Sequence, residues 1–405
     1  MSVTIMQGDC LEVLRGMPDC SVNCCVTSPP YWGLRDYGTA TWEGGDAGCE
    51  HSVGGQVQDA KAPGAITTGQ RPGVDSSVCR KCGARRIDRQ LGLEPTPAEY
   101  VANMVAVFRE VRRVLRDNGT CWINLGDSYV SGGGTGHQGK HGDRCNRTHT
   151  QRALLHGVPE ASGLKPKDLV GIPWRVAFAL QSDGWYLRQD IVWSKPNPMP
   201  ESVRDRCTKA HEYIFLLSKS ARYFYDAEAI AEPLSEASIV RLSQVNLPNQ
   251  NGSSRVPGKT NGNMKAVSKY RNNDGSLRDG FDTKGGTSGD LDGTLIRMGE
   301  KGTRNKRSVW TVATQPYKGS HFAVFPPALI RPCILAGCPQ GGTVLDPFGG
   351  SGTVGEVAEM DGRNSILIEL NPEYVKLAEK RTAQGGLFTS VTDLTPPSSL
   401  CMMAT

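Results

Sequence analysis

Two short stretches carry residue types suited to group transfer. The first is Asp346-Pro347-Phe348-Gly349-Gly350-Ser351-Gly352-Thr353, between an apolar run and an amphipathic one. Glycines in a strand–loop–helix turn let the backbone approach a ligand closely. Glu369 ends the next apolar run, 23 residues after Asp346. An acid about 20 residues past the glycines, at the tip of the second strand, is placed to bind ribose hydroxyls. The loop lacks the strict G-x-G-x-x-G spacing. Asp346 also stands where a pyrophosphate would approach, and like charges repel. The position suits a cationic ligand, such as an α-amino group beside a sulfonium. That favours S-adenosylmethionine over a nicotinamide dinucleotide. A tight turn that binds nothing is the plainer reading.

The second stretch is Val26-Thr27-Ser28-Pro29-Pro30-Tyr31-Trp32, at the end of a buried strand. Ligands of open α/β sheets bind beyond the carboxyl ends of strands. The prolines stiffen the loop and leave carbonyls without local partners. Ser28 offers a hydroxyl acceptor and Pro29 a carbonyl acceptor, while Tyr31 and Trp32 offer flat faces. Such a site suits an exocyclic amino group on a stacked ring. The amino lone pair of a base is delocalised into the ring. Accepting both of its hydrogens favours a more tetrahedral nitrogen that can attack a methyl group. The plainer reading is a proline-terminated strand with surface aromatics.

A third cluster is Cys49-x-His51 with Cys79-x2-Cys82. The second pair has a knuckle spacing that suits tetrahedral zinc. Zinc would staple a loop that lacks a core of its own. On that reading, chelation loosens residues 41–90 and spares the cofactor site. His137, His141, Cys145 and His149 recur every four residues, but the glycines around them oppose a helix, so they read as a loop.

The elements that must position these groups alternate. Strands are expected over 2–7, 21–26, 120–125, 186–193, 212–218, 309–314, 343–345 and 365–370. Helices are expected from Asp9, over 94–117, 173–181, 326–335, 354–361 and 372–381. For 94–117, Thr96 and Glu99 form a capping box around Pro97, and Asn118-Gly119 ends the helix. Alternating strands and helices mean an α/β fold with a mostly parallel sheet. Residues 41–90 read as irregular, and the tail 386–405 as disordered.

The 405 residues carry net charge +5, with 21% charged and 38% hydrophobic residues, which suits a soluble globular protein. The 48 glycines and 25 prolines point to long irregular segments. No apolar run reaches the roughly 20 residues of a membrane helix. The N-terminus does not resemble a secretory signal. Thirteen cysteines, mostly in strand-like runs, fit free thiols in a reducing compartment, and hence a cytosolic protein.

Taken together, the two loops resemble those of amino-methylating DNA methyltransferases. The order, with Ser28-Pro29-Pro30-Tyr31 early and the glycine loop late, is similar to the circularly permuted β-group. Gly8-Asp9-Cys10-Leu11, Leu115-Arg116-Asp117-Asn118-Gly119, Trp193-Ser194-Lys195-Pro196-Asn197-Pro198, His211-Glu212-Tyr213-Ile214 and His321-Phe322-Ala323-Val324-Phe325-Pro326 add to the resemblance, which spans about residues 5–382. It implies a Rossmann-like methyltransferase sheet built from residues 1–40, 91–230 and 308–385. It implies that Asp346, Phe348, Gly350, Gly352 and Thr353 meet the methionine part of S-adenosylmethionine. Glu369 would hold the ribose, Asp9 the adenine amino group, and His321 to Phe325 the carboxylate end. Ser28, Pro29, Pro30 and Tyr31 would hold a flipped base of double-stranded DNA.

Residues 231–307 stand where this group carries target recognition, and their basic side chains, Arg304, Lys306 and Arg307 among them, suit phosphate. Ser28 resembles the cytosine-N4 enzymes, whereas adenine-N6 enzymes more often have Asp there. Cytosine C5 transfer needs a nucleophilic Cys. Cys333 follows Pro332 but reads as core. The alternatives are an adenine-N6 enzyme, an RNA or protein-glutamine methyltransferase, a non-catalytic zinc-containing DNA binder and a nicotinamide oxidoreductase. A restriction endonuclease partner is compatible with the resemblance but not implied by it.

Overall fold

The computed structural model describes residues 1–33, 37–51, 78–130, 163–242, 302–315, 325–383 and 389–393. The chain divides into two compact units, Met1–Tyr225 with Ser308–Thr405, and Asp226–Arg307. The first unit opens with β1 (Val3–Gln7), α1 (Cys10–Gly16) and β2 (Val22–Thr27). A small antiparallel pair follows, β3 (Thr41–Glu43) with β4 (Arg85–Ile87). Then come α2 (Pro97–Val114), β5 (Leu115–Leu125), α3 (Ile172–Ser182), β6 (Tyr186–Ser194) and β7 (His211–Ser218). The second unit holds β8 (Glu232–Pro233), α4 (Glu236–Leu242) and β9 (Thr303–Arg304). The first unit resumes with β10 (Val309–Thr311), α5 (Pro327–Gly337), β11 (Thr343–Asp346), α6 (Thr353–Met360), β12 (Asn364–Glu369), α7 (Pro372–Ala383) and β13 (Thr389–Asp393).

Nine of these strands form one sheet, in the order β10-β6-β7-β5-β2-β11-β12-β1-β13. Every neighbouring pair is parallel except the two that involve β7. Parallel sheets are covered on both faces, so their strands are apolar nearly throughout. Cys25, Cys121, Ile123 and Leu125 pack into one core with Leu14 of α1, Phe108 of α2 and Val176 of α3. Cys24, Thr120 and Trp122 point the other way, where Gly337 of α5 sits directly on them. The expected α/β sheet is therefore present. Its order is the permuted one, because β2 lies beside β11 although some 320 residues separate them.

Helix α2 starts as its sequence requires. The Thr96 hydroxyl accepts from the Glu99 N–H (3.2 Å) and donates to the Glu99 carboxylate (3.0 Å), with Pro97 at the first position. It ends at Val114, not at Asn118-Gly119. Leu115 turns extended to pair with Val22, so sheet formation overrides the helical pattern there. Cys333 is core, as expected, and lies fully buried in α5. The cysteines of the described residues are free thiols.

Two expectations need correction. The tail is not structureless throughout, since β13 pairs in parallel with β1. β-branched Thr389, Val391 and Thr392 suit a strand, and β1 would otherwise be an open edge. Residues 41–90 are likewise not all irregular, because β3 and β4 form a hairpin-like pair. Within the second unit, Arg304, Lys306 and Arg307 surround the Glu232 carboxylate at 3.5, 3.7 and 3.0 Å. One acid shared by three cations leaves the cluster with a net positive charge. The rest of the basic segment, residues 243–301, and the His137–His149 pattern lie outside the described residues.

Phe108 is fully buried in the core under α2. Phe108→Ala should cost about 3–5 kcal/mol, and Thr96→Ala about 1 kcal/mol. Urea unfolding of the two variants checks both, and comparable losses would contradict this packing.

Candidate active site

Strands β1, β2, β5, β11 and β12 run parallel, so their carboxyl ends share one edge of the sheet. Gly8 and Asp9 follow β1, Ser28 follows β2, Gly126 follows β5, and Asp346 and Glu369 end β11 and β12. A cleft with about 890 Å³ of empty space opens there. Its wall includes Asp9, Ser28, Pro30, Phe325, Asp346, Phe348, Gly350, Thr353 and Glu369. Tyr37, Leu91, Ile368 and Tyr374 add flat and apolar surface.

Asp346 is 2% exposed. Its Oδ1 accepts from the Thr27 hydroxyl (2.6 Å) and the Phe348 N–H (3.1 Å). Its Oδ2 accepts nothing among the described residues. Burial pushes this carboxyl up to about 7, against the opposing pull of those two hydrogen bonds. Burial also raises Glu369, whose oxygens accept from the Gly350 and Asn371 N–H groups, both at 2.8 Å. Asp9 caps α1, its Oδ1 accepting from the Leu11 and Glu12 N–H groups at 3.0 Å. Thr353 accepts from Arg381 at 2.8 Å.

Gly352 does not belong to the cleft wall. It has φ +81°, and a Cβ there would lie 3.0 Å from Ala378 of α7. Its job is close packing of helix against loop. His321 lies outside the described residues.

The Ser28–Tyr31 loop lies against the same cleft. Tyr100 donates to the Pro30 carbonyl (2.8 Å). The Pro29 carbonyl accepts nothing among the described residues. Trp32 is not a free face, because it is 1% exposed and donates to the Glu94 carbonyl. Tyr31 lies on Gly126, where a Cβ would stand 2.5 Å from its ring. Its hydroxyl is 2.8 Å from Glu212 Oε2 and 3.0 Å from Asn124 Oδ1. One phenolic hydrogen serves one acceptor at a time, and the charged, closer carboxylate is the stronger. Burial and the Glu212 charge hold the Tyr31 pKa well above its usual value, so the phenol stays neutral and donates. Asn124 Nδ2 donates to Glu212 (3.3 Å) and to the Tyr213 carbonyl (3.1 Å), which turns its oxygen toward Ser28, 3.4 Å away. Lys195, the residue after β6, pairs with Glu212. The result is a row of acceptors, Ser28 Oγ, the Pro29 carbonyl and Asn124 Oδ1, held from behind by an ion pair.

Comparison with known proteins places this arrangement. Residues 22–380 match the family model for N6 and N4 methyltransferases, described as DNA methylase. The chain belongs to that family. It is an S-adenosylmethionine-dependent DNA methyltransferase. The type II methyltransferase M.Cfr9I of Citrobacter freundii is 39% identical over 93% of this chain and 87% of its own. The type II methyltransferase M.SmaI of Serratia marcescens is 40% identical over 94% and 90%. Among solved structures, a PvuII DNA methyltransferase described as cytosine-N4-specific covers 94% of this chain and 86% of its own. Its identity is 15% and its TM-score 0.49.

Three residues of the methyltransferase's network escaped the sequence reading as participants: Asn124, Lys195 and Glu212. The available signal was Glu212 at the head of an otherwise apolar strand, which demands a buried partner. The Cys/His residues converge away from the cleft. The ligand atoms of Cys49, His51, Cys79 and Cys82 all lie within 4.8 Å of one another.

Gly126→Ala must push the Tyr31 ring aside. We expect turnover to fall by about 100-fold, with cofactor affinity and folding kept. Steady-state kinetics beside calorimetry checks this, and unchanged turnover would remove Tyr31 from the reaction.

Proposed function

We propose that this methyltransferase transfers a methyl group to the exocyclic N4 of cytosine in double-stranded DNA. The single observation that carries the reading is adjacency. Ser28 and Pro30 face the same cleft as Asp346, Gly350 and Glu369. S-adenosylmethionine supplies an activated methyl group on a sulfonium, so no metal is required for transfer. The residues fit that donor. Asp346 lines the cleft with a carboxylate whose Oδ2 has no hydrogen-bond partner among the described residues, which suits an ammonium group and not a pyrophosphate. Glu369 and Asp9 are carboxylates at the strand tips, placed for ribose hydroxyls and an adenine amino group. Phe348, Ile368, Leu91 and Tyr374 offer apolar surface to a flat ring, and Phe325 borders the cleft at the carboxylate end.

The target base must leave the duplex to reach this edge. Ser28 Oγ and the Pro29 carbonyl then accept its amino hydrogens, with Asn124 Oδ1 next to Ser28. Holding both hydrogens draws the nitrogen lone pair out of the ring and toward the methyl carbon. The nitrogen takes the methyl carbon as that carbon's bond to sulfur breaks, the electron pair staying on a neutral thioether, and it gives up one proton on the acceptor side. Ser28, where the adenine-specific pattern more often has Asp, favours cytosine. An adenine-N6 target stays as the second reading, because the acceptor row serves either amino group and the family includes both. The type II names of the relatives favour a restriction–modification setting in a cytoplasm, with an endonuclease as companion.

Nucleoside mass spectrometry of DNA treated with the enzyme and S-adenosylmethionine tests the target. We expect N4-methylcytosine. N6-methyladenine would replace the base assignment and keep the site, and neither base would overturn the reading.

The raised Asp346 pKa gives a second test. The ligand-free fold holds a proton up to about pH 7, above the ordinary value of 3.8, so this group's contribution to stability falls as pH rises between them. A cationic ligand favours the carboxylate. Its binding should therefore release up to one proton below pH 7 and weaken by up to about tenfold per pH unit down to pH 5. Calorimetry in buffers of different ionisation enthalpy checks this. Flat affinity across that window, or full affinity in Asp346→Asn, would place the cation elsewhere.

A further inference from the structure

The Cys/His cluster has no part in methyl transfer, yet its geometry is that of a ligand set. We infer that Cys49, His51, Cys79 and Cys82 bind one zinc ion, and that this ion holds a wall of the cofactor cleft in place. Zinc–sulfur bonds of about 2.3 Å in a tetrahedron put sulfurs about 3.8 Å apart. Cys49 Sγ and Cys79 Sγ lie 3.9 Å apart, far too long for a disulfide. Cys82 Sγ and His51 Nδ1 lie 3.3 Å apart. The knuckle turn is closed by the Cys79 N–H on the Ala84 carbonyl (2.7 Å) and the Gly83 N–H on the Cys79 carbonyl (2.8 Å). Trp42 stacks on the His51 ring at 4.7 Å and orients it.

The surroundings show why an ion is needed. Among the described residues of 41–88, only Cys79 and Ala84 are buried. Two residues make no hydrophobic core, and a segment without one needs a staple. Its two ends run straight into the cleft. Thr39 precedes β3, while Arg89, Gln90 and Leu91 follow β4, and all four face the cleft. The ends are cross-tied by Asp88, which accepts from the Thr39 hydroxyl (3.4 Å) and the Gln90 N–H (3.2 Å). Gln90 in turn accepts from the Tyr37 N–H (2.6 Å). An ion that fixes β3 against β4 thus fixes this wall. Such coupling departs from the expectation that chelation spares the cofactor site.

The test uses the full chain, purified without chelators from zinc-supplemented cells. Elemental analysis should give one zinc per chain, and Cys49→Ser and Cys82→Ser should each lose it. Cobalt exchanged for the metal in the wild-type protein should show tetrahedral ligand-field bands with thiolate charge transfer, which does not depend on the variants folding. No zinc, or zinc kept by both variants, overturns the site. Stripping the metal should weaken S-adenosylmethionine binding by at least about tenfold, and zinc should restore it. Equal affinity with and without metal overturns the coupling. The coupling rests on the cleft being the cofactor site. If the zinc-loaded protein binds no S-adenosylmethionine, that reading fails while the zinc count stands.

Discussion

The Thr27 hydroxyl donates to the Asp346 carboxylate at 2.6 Å, across 319 residues of sequence. Thr27 is the last residue of β2, and Ser28 begins the proline loop that borders the cleft. Asp346 is the last residue of β11, and the glycine loop begins there. This hydrogen bond therefore fixes the proline loop against the glycine loop. It also accounts for the burial of a carboxylate at that point. An unpaired buried charge would be costly, and one strong hydrogen bond from a hydroxyl with one from the Phe348 N–H reduces the cost while leaving Oδ2 for a ligand.

The second constraint is the direction of β7. Because it runs against its neighbours, its first residues, not its last, reach the edge where the parallel strands end. Register then pairs Glu212 with Trp193, just before Lys195, and Tyr213 with Leu125, just before Gly126. The ion pair and the glycine that carry Tyr31 are thus consequences of one antiparallel strand. Were β7 parallel, Glu212 would lie at the far edge, and Tyr31 would have no charged acceptor.

Much of this was legible in the sequence, because local chemistry determined it. The α2 cap, the alternation of strands and helices and the strand–loop–helix setting of the glycine loop match the sequence patterns, and the four Cys/His residues lie together. What was illegible depended on partners far along the chain. Leu115 looked helical until Val22 claimed it for the sheet. Trp32 looked like a binding face, but the Glu94 carbonyl draws it into the core. Asn124 and Glu212 gave no local sign of sharing a site with Tyr31, since only sheet register brings them together.

The place of β1 has a temporal consequence. This strand leaves the ribosome early but is flanked in the sheet by β12 and β13, its Val3 pairing with Ser365 and Thr389. Neither of its edges can be satisfied until almost the whole chain has emerged. Contacts of such long sequence separation form slowly. A nascent chain therefore contains the Ser28–Tyr31 loop long before it owns a complete donor cleft. The cleft is complete only once the sheet has closed around β1.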